Sequence, residues 1–403
     1  MLSSKIFDCA SATHLLKWIT TCLFISSCSA SINDVFTVKK GIDKGGCDNY
    51  SGNLTVWFSE IQDLLQAGIQ AFDDAFDVEI NDAVALATLD GYFGLRPSSS
   101  DNERAGVKKY LQQTSDFWAG THQLIADGIT SKPWLFCNSD WEQPVKRTDF
   151  TYRVVAESEA AGSEIVETFK SDNGDNQAVI LTGVAIQDVY KDMLFDEGDP
   201  PRPNELIPYW SRDLEEYTFQ PVYGDDPLKS TFCGLDTSDD VDQNLAGTDD
   251  ETIPASVTLC PLSFTAEQGK RTLKFTEPEI GNPVTKYIPR SATLLHESIH
   301  LVFGKIDTPD ASYDLDEVKL AIIHRNTIPL TTSFADPNGN NEKSPKNYDE
   351  KSNIELVRMN PETFVWFCVS YWYYLQDPDP KAVAVDFRYT FPAGIAQWVS
   401  IDV

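Results

Sequence analysis

The stretch TLLHESIHLVFG, residues 293–304, holds three side chains that can do metal chemistry together. His296 and His300 stand four apart, so on a helix both imidazoles leave one face and reach a common point. Neutral imidazole nitrogens suit zinc, and a catalytic zinc takes three protein ligands and keeps a position for water. Glu297 follows His296 directly, where a carboxylate can take the proton of that water as general base. The chain has only five histidines. Its composition would produce such a pattern by chance roughly 0.003 times per chain. The competing reading is a core helix with hydrogen-bonded histidines. Leu294, Leu295, Ile299, Leu301 and Val302 around the motif fit a buried active-site helix.

A third ligand must come from downstream. A histidine spaced as in HExxHxxGxxH would be residue 306, which is Ile306. Glu317, in DLDEVKLAII, offers a glutamate on a following helix, the arrangement of gluzincin-type peptidases. Asp310, in Thr308-Pro-Asp-Ala-Ser-Tyr313, offers a short carboxylate on a loop. Gly304 permits the positive φ of a chain reversal, and Pro309 biases Thr308 toward extended backbone. Residue types alone leave both carboxylates open.

HESIH followed by T-x-D-x-x-Y resembles the aspzincin metallopeptidases, the fungal deuterolysins and peptidyl-Lys metalloendopeptidases. Asp307 and Asp314 stand where that pattern has glycines. The resemblance is sharp over 290–315 and diffuse over 45–375. There Cys47 before a long amphipathic helix, GYFG at 91–94, VTLCPLSF at 257–264 and NPETFVWF at 360–367 are similar to family landmarks. It implies that Asp310 is the third zinc ligand and that Tyr313 hydrogen-bonds the oxyanion. It also implies an α+β, zincin-like metallopeptidase domain, its HExxH helix packed on a small mixed sheet. The function so implied is zinc-dependent endopeptidase activity, with one Zn2+ per chain and protein or peptide substrates. The rivals are a zinc-binding, inactive homologue and a gluzincin-type peptidase using Glu317.

Several elements must position these residues. Trp57, Ile61, Leu64, Leu65, Ile69 and Phe72 share one helical face. VALATLDGYFGL reads as helix up to Gly94, and a further apolar periodicity runs from Val107 to Ile125. Strand-like runs occupy 133–137, 150–157, 177–184 and 256–264. The motif helix is expected from about Ser291 to Phe303, ended by Gly304. Residues 364–374 read as a buried helix, too short to span a membrane. Residues 186–253, rich in Pro, Asp and Gly, read as an acidic, loop-rich insertion on a single catalytic domain of 31–403. Residues 332–353 read as an exposed loop.

Residues 1–30 read as a signal peptide, with Lys5 and Lys17 before the apolar WITTCLFISS and cleavage near Ala30. Five cysteines remain, none in a CxxC pair. Secretion then predicts Cys47–Cys137 and Cys233–Cys260 by order along the chain, with Cys368 free. Asn49 and Asn53 begin N-glycan sequons. The formal net charge of −30 repels nucleic acid and anionic lipid; it reads first as keeping a secreted protein soluble at mildly acidic pH, and as the alternative it would attract cationic substrates. The expectation is an extracellular protein with no membrane contact in its mature form. Asp240, Asp242, Asn244 and Glu251 fall on a calcium-loop spacing, but Leu245 stands where that loop needs glycine, so they read as a solvated acidic loop. His122 and His324 read as structural.

Overall fold

The computed structural model describes residues 31–126, 129–171, 174–196, 202–204, 206–221, 231–234, 244–265, 271–273, 276–325, 351–376 and 387–400. The signal segment, the 332–350 stretch, Asp240 and Asp242 lie outside these residues.

The fold is mixed α+β. Six longer helices carry the main core: α1 (Ser51–Phe76), α2 (Ala83–Phe93), α3 (Asp101–Trp118), α4 (Ser291–Phe303), α5 (Leu315–Ile323) and α6 (Pro361–Leu375). The predicted face of α1 is the buried one, with Trp57, Ile61, Leu64, Leu65 and Phe72 inside. α6 packs against it and buries Phe364, Trp366, Phe367, Val369 and Tyr371. Each such side chain removed from water contributes about 1.5–3 kcal/mol. Gly68 permits the close approach, because a Cβ there would stand 2.6 Å from Cys368 Sγ. Cys368 is free and buried, as expected. Asp82 caps α2 by accepting from Val84 and Ala85 amides, and Gly94 ends it in the left-handed region. The third periodicity stops at Trp118, and Ile125 belongs to the short strand Ile125–Ala126.

A four-stranded sheet lies beside α4. Its order is β1 (Thr37–Val38), β2 (Trp134–Phe136), β4 (Ser256–Leu259) and β3 (Ala246–Asp249). The first three are parallel neighbours, and β3 runs antiparallel at the edge. The disulfides are Cys47–Cys137 and Cys233–Cys260, as chain order predicted. The first ties the turn before α1 to the end of β2. The second ties the segment before β3 to the end of β4.

The expectation of a loop-rich 186–253 stretch needs correction. Leu206–Ser211 and Glu216–Pro221 pair as a hairpin that extends onto Glu142–Pro144, and 246–249 is the edge strand β3. A second small core, with Val145, Val179, Trp210 and Tyr217, fills this lobe. The alternation of these strands is short and interrupted by prolines, so the periodicity they leave in the sequence is weak. The predicted strands at 150–157 and 177–184 appear as Phe150–Ala156 and Asn176–Ala185 and pair with each other. Among the described residues, no helix is long and apolar enough to cross a membrane.

Candidate metal centre

α4 delivers His296, Glu297 and His300 from a helix that is apolar on almost every side. Leu294, Leu295 and Ile299 are fully buried around them. Gly304 ends the helix at φ 80, and its amide donates to the His300 carbonyl. Its own carbonyl then accepts from the Asp307 amide, the Thr308 amide and the Thr308 hydroxyl. This turn reverses the chain and brings Asp310 back under the histidines. A side chain at Gly304 would be strained at that φ and would also meet Asp250 Oδ2 at 3.2 Å.

Three donor atoms meet there. His296 Nε2 lies 2.9 Å from Asp310 Oδ1, His300 Nε2 lies 3.1 Å from the same oxygen, and the two Nε2 atoms are 3.1 Å apart. Among the described residues, these three form the one group of histidine, cysteine and acidic side chains that could hold a metal ion. Glu317 is not part of it. Its Oε2 accepts from the Ser312 hydroxyl at 2.6 Å and so braces the loop that carries Asp310 and Tyr313.

The outer nitrogens fix which atoms are free to ligate. His296 Nδ1 is 3.2 Å from Glu362 Oε2, and a carboxylate can only accept, so Nδ1 carries the proton. His300 Nδ1 is 3.2 Å from the Thr308 hydroxyl, which has already given its proton to the Gly304 carbonyl. His300 Nδ1 must therefore donate as well. Both Nε2 atoms then present lone pairs to the same point as the Asp310 carboxylate. Such a cluster calls for positive charge at its centre, which a proton or a metal ion can supply, and histidines oriented by a second hydrogen bond are the usual companions of a metal. Two imidazole nitrogens and a carboxylate oxygen this close together would be a donor set suited to a single zinc ion. The residues fit zinc.

The electrostatics agree with that demand for positive charge. Burial alone would lower the His296 pKa, but the Asp310 carboxylate, with help from Glu362 and Glu297, raises it well above the ordinary value. Burial would raise Asp310, but the two imidazoles overcome it and hold the carboxyl far below the usual range. Tyr313 is 62% exposed as a residue. Its ring nevertheless lies on His296, with centroids 5.7 Å apart and planes 15° from parallel. Its hydroxyl faces the site: lost hydration, then the Asp310, Glu297 and Glu362 carboxylates, push its ionisation upward. It stays a neutral O–H donor.

Three contributors escaped the sequence reading. Glu362 stands in the first turn of α6, where a lone acid inside NPETFVWF was the available signal. Thr308 is fully buried beside Pro309. Thr248 comes from β3 and carried no signal at all. Its hydroxyl sits 2.8 Å from Glu297 Oε2. His122 and His324 lie away from the group, His324 capping the end of α5. Asn244 donates to the Phe232 carbonyl. No family model, curated protein or solved structure matches this chain, so the functional reading rests on the geometry of this centre.

Proposed function

We propose that this chain is a secreted zinc-dependent endopeptidase of the aspzincin type, with a zincin-like catalytic domain. The observation that carries the reading is the convergence of His296, His300 and Asp310 next to a carboxylate that ligates nothing, Glu297. His296, His300 and Asp310 would hold the ion. Zinc, when bound, supplies a Lewis acid for a water molecule and for the scissile carbonyl. Glu297 accepts a proton from the attacking water and passes it to the leaving amine. The Tyr313 hydroxyl, kept protonated by lost hydration and by its carboxylate neighbours, donates to the oxyanion as it develops. The substrate backbone pairs with β3, which lies at the sheet edge with β4 on its other side. The two disulfides support the secretory assignment.

The test combines metal analysis of the purified protein with cleavage-site mapping on a denatured protein mixture. The expected result is about one zinc per chain and chelator-sensitive cleavage. Glu297→Gln keeps the metal and loses most turnover. Asp310→Ala loses both, and Glu317→Ala keeps both. A wild-type protein that holds zinc but cuts no peptide bond establishes the inactive, zinc-binding reading instead. Zinc retained by Asp310→Ala and lost from Glu317→Ala overturns the ligand assignment.

A further inference from the structure

Thr248 links the edge strand to Glu297. Its side chain is buried, at 2% exposure. Its hydroxyl oxygen lies 2.8 Å from Glu297 Oε2 and 3.0 Å from the Glu297 backbone carbonyl. Both acceptors belong to one residue, so the single hydroxyl proton holds the carboxylate back against its own main chain. Oε2 is thereby engaged. No hydrogen bond from the described residues reaches Oε1.

The hydroxyl is itself held firmly. Threonine is β-branched and has few χ1 choices on a strand, so β3 aims the oxygen. The strand is gripped on both faces. Gly247 points away from α4, where a Cβ would stand 2.4 Å from the Phe232 ring, and the neighbouring Cys233 is bridged to Cys260. Two residues beyond Thr248, Asp250 accepts from the Lys305 amide at 2.8 Å, just past the end of α4. β3 and the segment after it thus hold the motif helix at Glu297 and again beyond Gly304.

We infer that Thr248 is a positioning residue. It fixes the Glu297 carboxylate by holding Oε2 and leaving Oε1 to handle the proton, and ties that orientation to the strand edge. This rests on the peptidase reading, in which Glu297 handles the proton and β3 receives the substrate. A glutamate without the clamp has three side-chain torsions to order before each turnover. Misplacement of a reacting group by about 1 Å costs up to roughly 100-fold in rate.

Thr248→Val keeps the shape of the side chain and removes the hydroxyl, and Thr248→Ser keeps the hydroxyl. With zinc-loaded full-length protein, Thr248→Val is expected to lower kcat roughly 10- to 100-fold with KM little changed. Thr248→Ser is expected to recover most of the loss. Zinc affinity by chelator competition should be the same in all three proteins, because no metal ligand is touched. Crystal structures of the wild type and Thr248→Val supply a readout that needs no activity. Glu297 should hold one rotamer in the wild type and lose it in the valine variant. A valine variant with wild-type kcat and an unmoved Glu297 overturns the inference. So does a serine variant as slow as valine, which would assign Thr248 to packing. A wild-type protein without peptidase activity sinks the peptidase reading separately, and the two crystal structures still decide whether the clamp exists.

Discussion

Replacing Glu142 by glutamine should stabilise the folded protein in a way that depends on pH. Glu142 begins the strand Glu142–Pro144 of the lobe sheet and is only 5% exposed. Thr218, across the middle strand of that sheet, donates to its Oε1 at 2.7 Å. Burial pushes the carboxyl up to about 8; Asp249 pushes the same way, while Thr218 and Lys305 pull it down. In the unfolded chain the group ionises near its ordinary 4.5. Between those values the folded protein keeps a proton that the unfolded chain releases. Folding stability therefore falls as pH rises, by about 1.36 kcal/mol per pH unit. Below pH 4.5 both states are protonated and nothing is lost. Above about 8 the loss is complete, at roughly 5 kcal/mol. Glutamine has no proton to lose and can still accept from Thr218. Denaturant unfolding of wild type and Glu142→Gln, with disulfides intact, should give matching stabilities near pH 4.5. The difference should widen steadily to pH 8 in favour of glutamine and then level off. A difference that stays constant across this range would refute the buried, protonated carboxyl.

Two further outcomes test the centre. Glu362→Ala removes the acceptor of His296 Nδ1–H and should weaken zinc binding by about 10- to 100-fold in chelator competition, while Glu317→Ala does not. Gly304→Ala places a side chain at φ 80. It should destabilise the protein by about 1 kcal/mol or more in thermal unfolding, and should weaken the metal site because Asp310 depends on that turn.

The sequence by itself determined the local parts. Two histidines four apart on an apolar helix share a face wherever that helix is placed, so the meeting of His296 with His300, and Glu297 beside them, was legible from spacing alone. Gly304 as the helix end, the buried face of α1, the Gly94 end of α2 and the buried α6 all follow from patterns within a few turns of chain. The cysteine pairs were read from chain order, and the structure forms both. Asp310 over Glu317 lay between these regimes. Residue types left both open, and only the reversal built on the Gly304 carbonyl shows which carboxylate reaches the imidazoles. The remaining participants come from far along the chain. Glu362 orients His296 from 66 residues away, and Thr248 reaches Glu297 from 49 residues upstream. A threonine on a four-residue strand looks like any other threonine until the sheet sets it beside the helix. Periodicity reports which face of an element is buried. Which polar side chain meets which across two elements depends on their packing, and that was decided only by the tertiary structure.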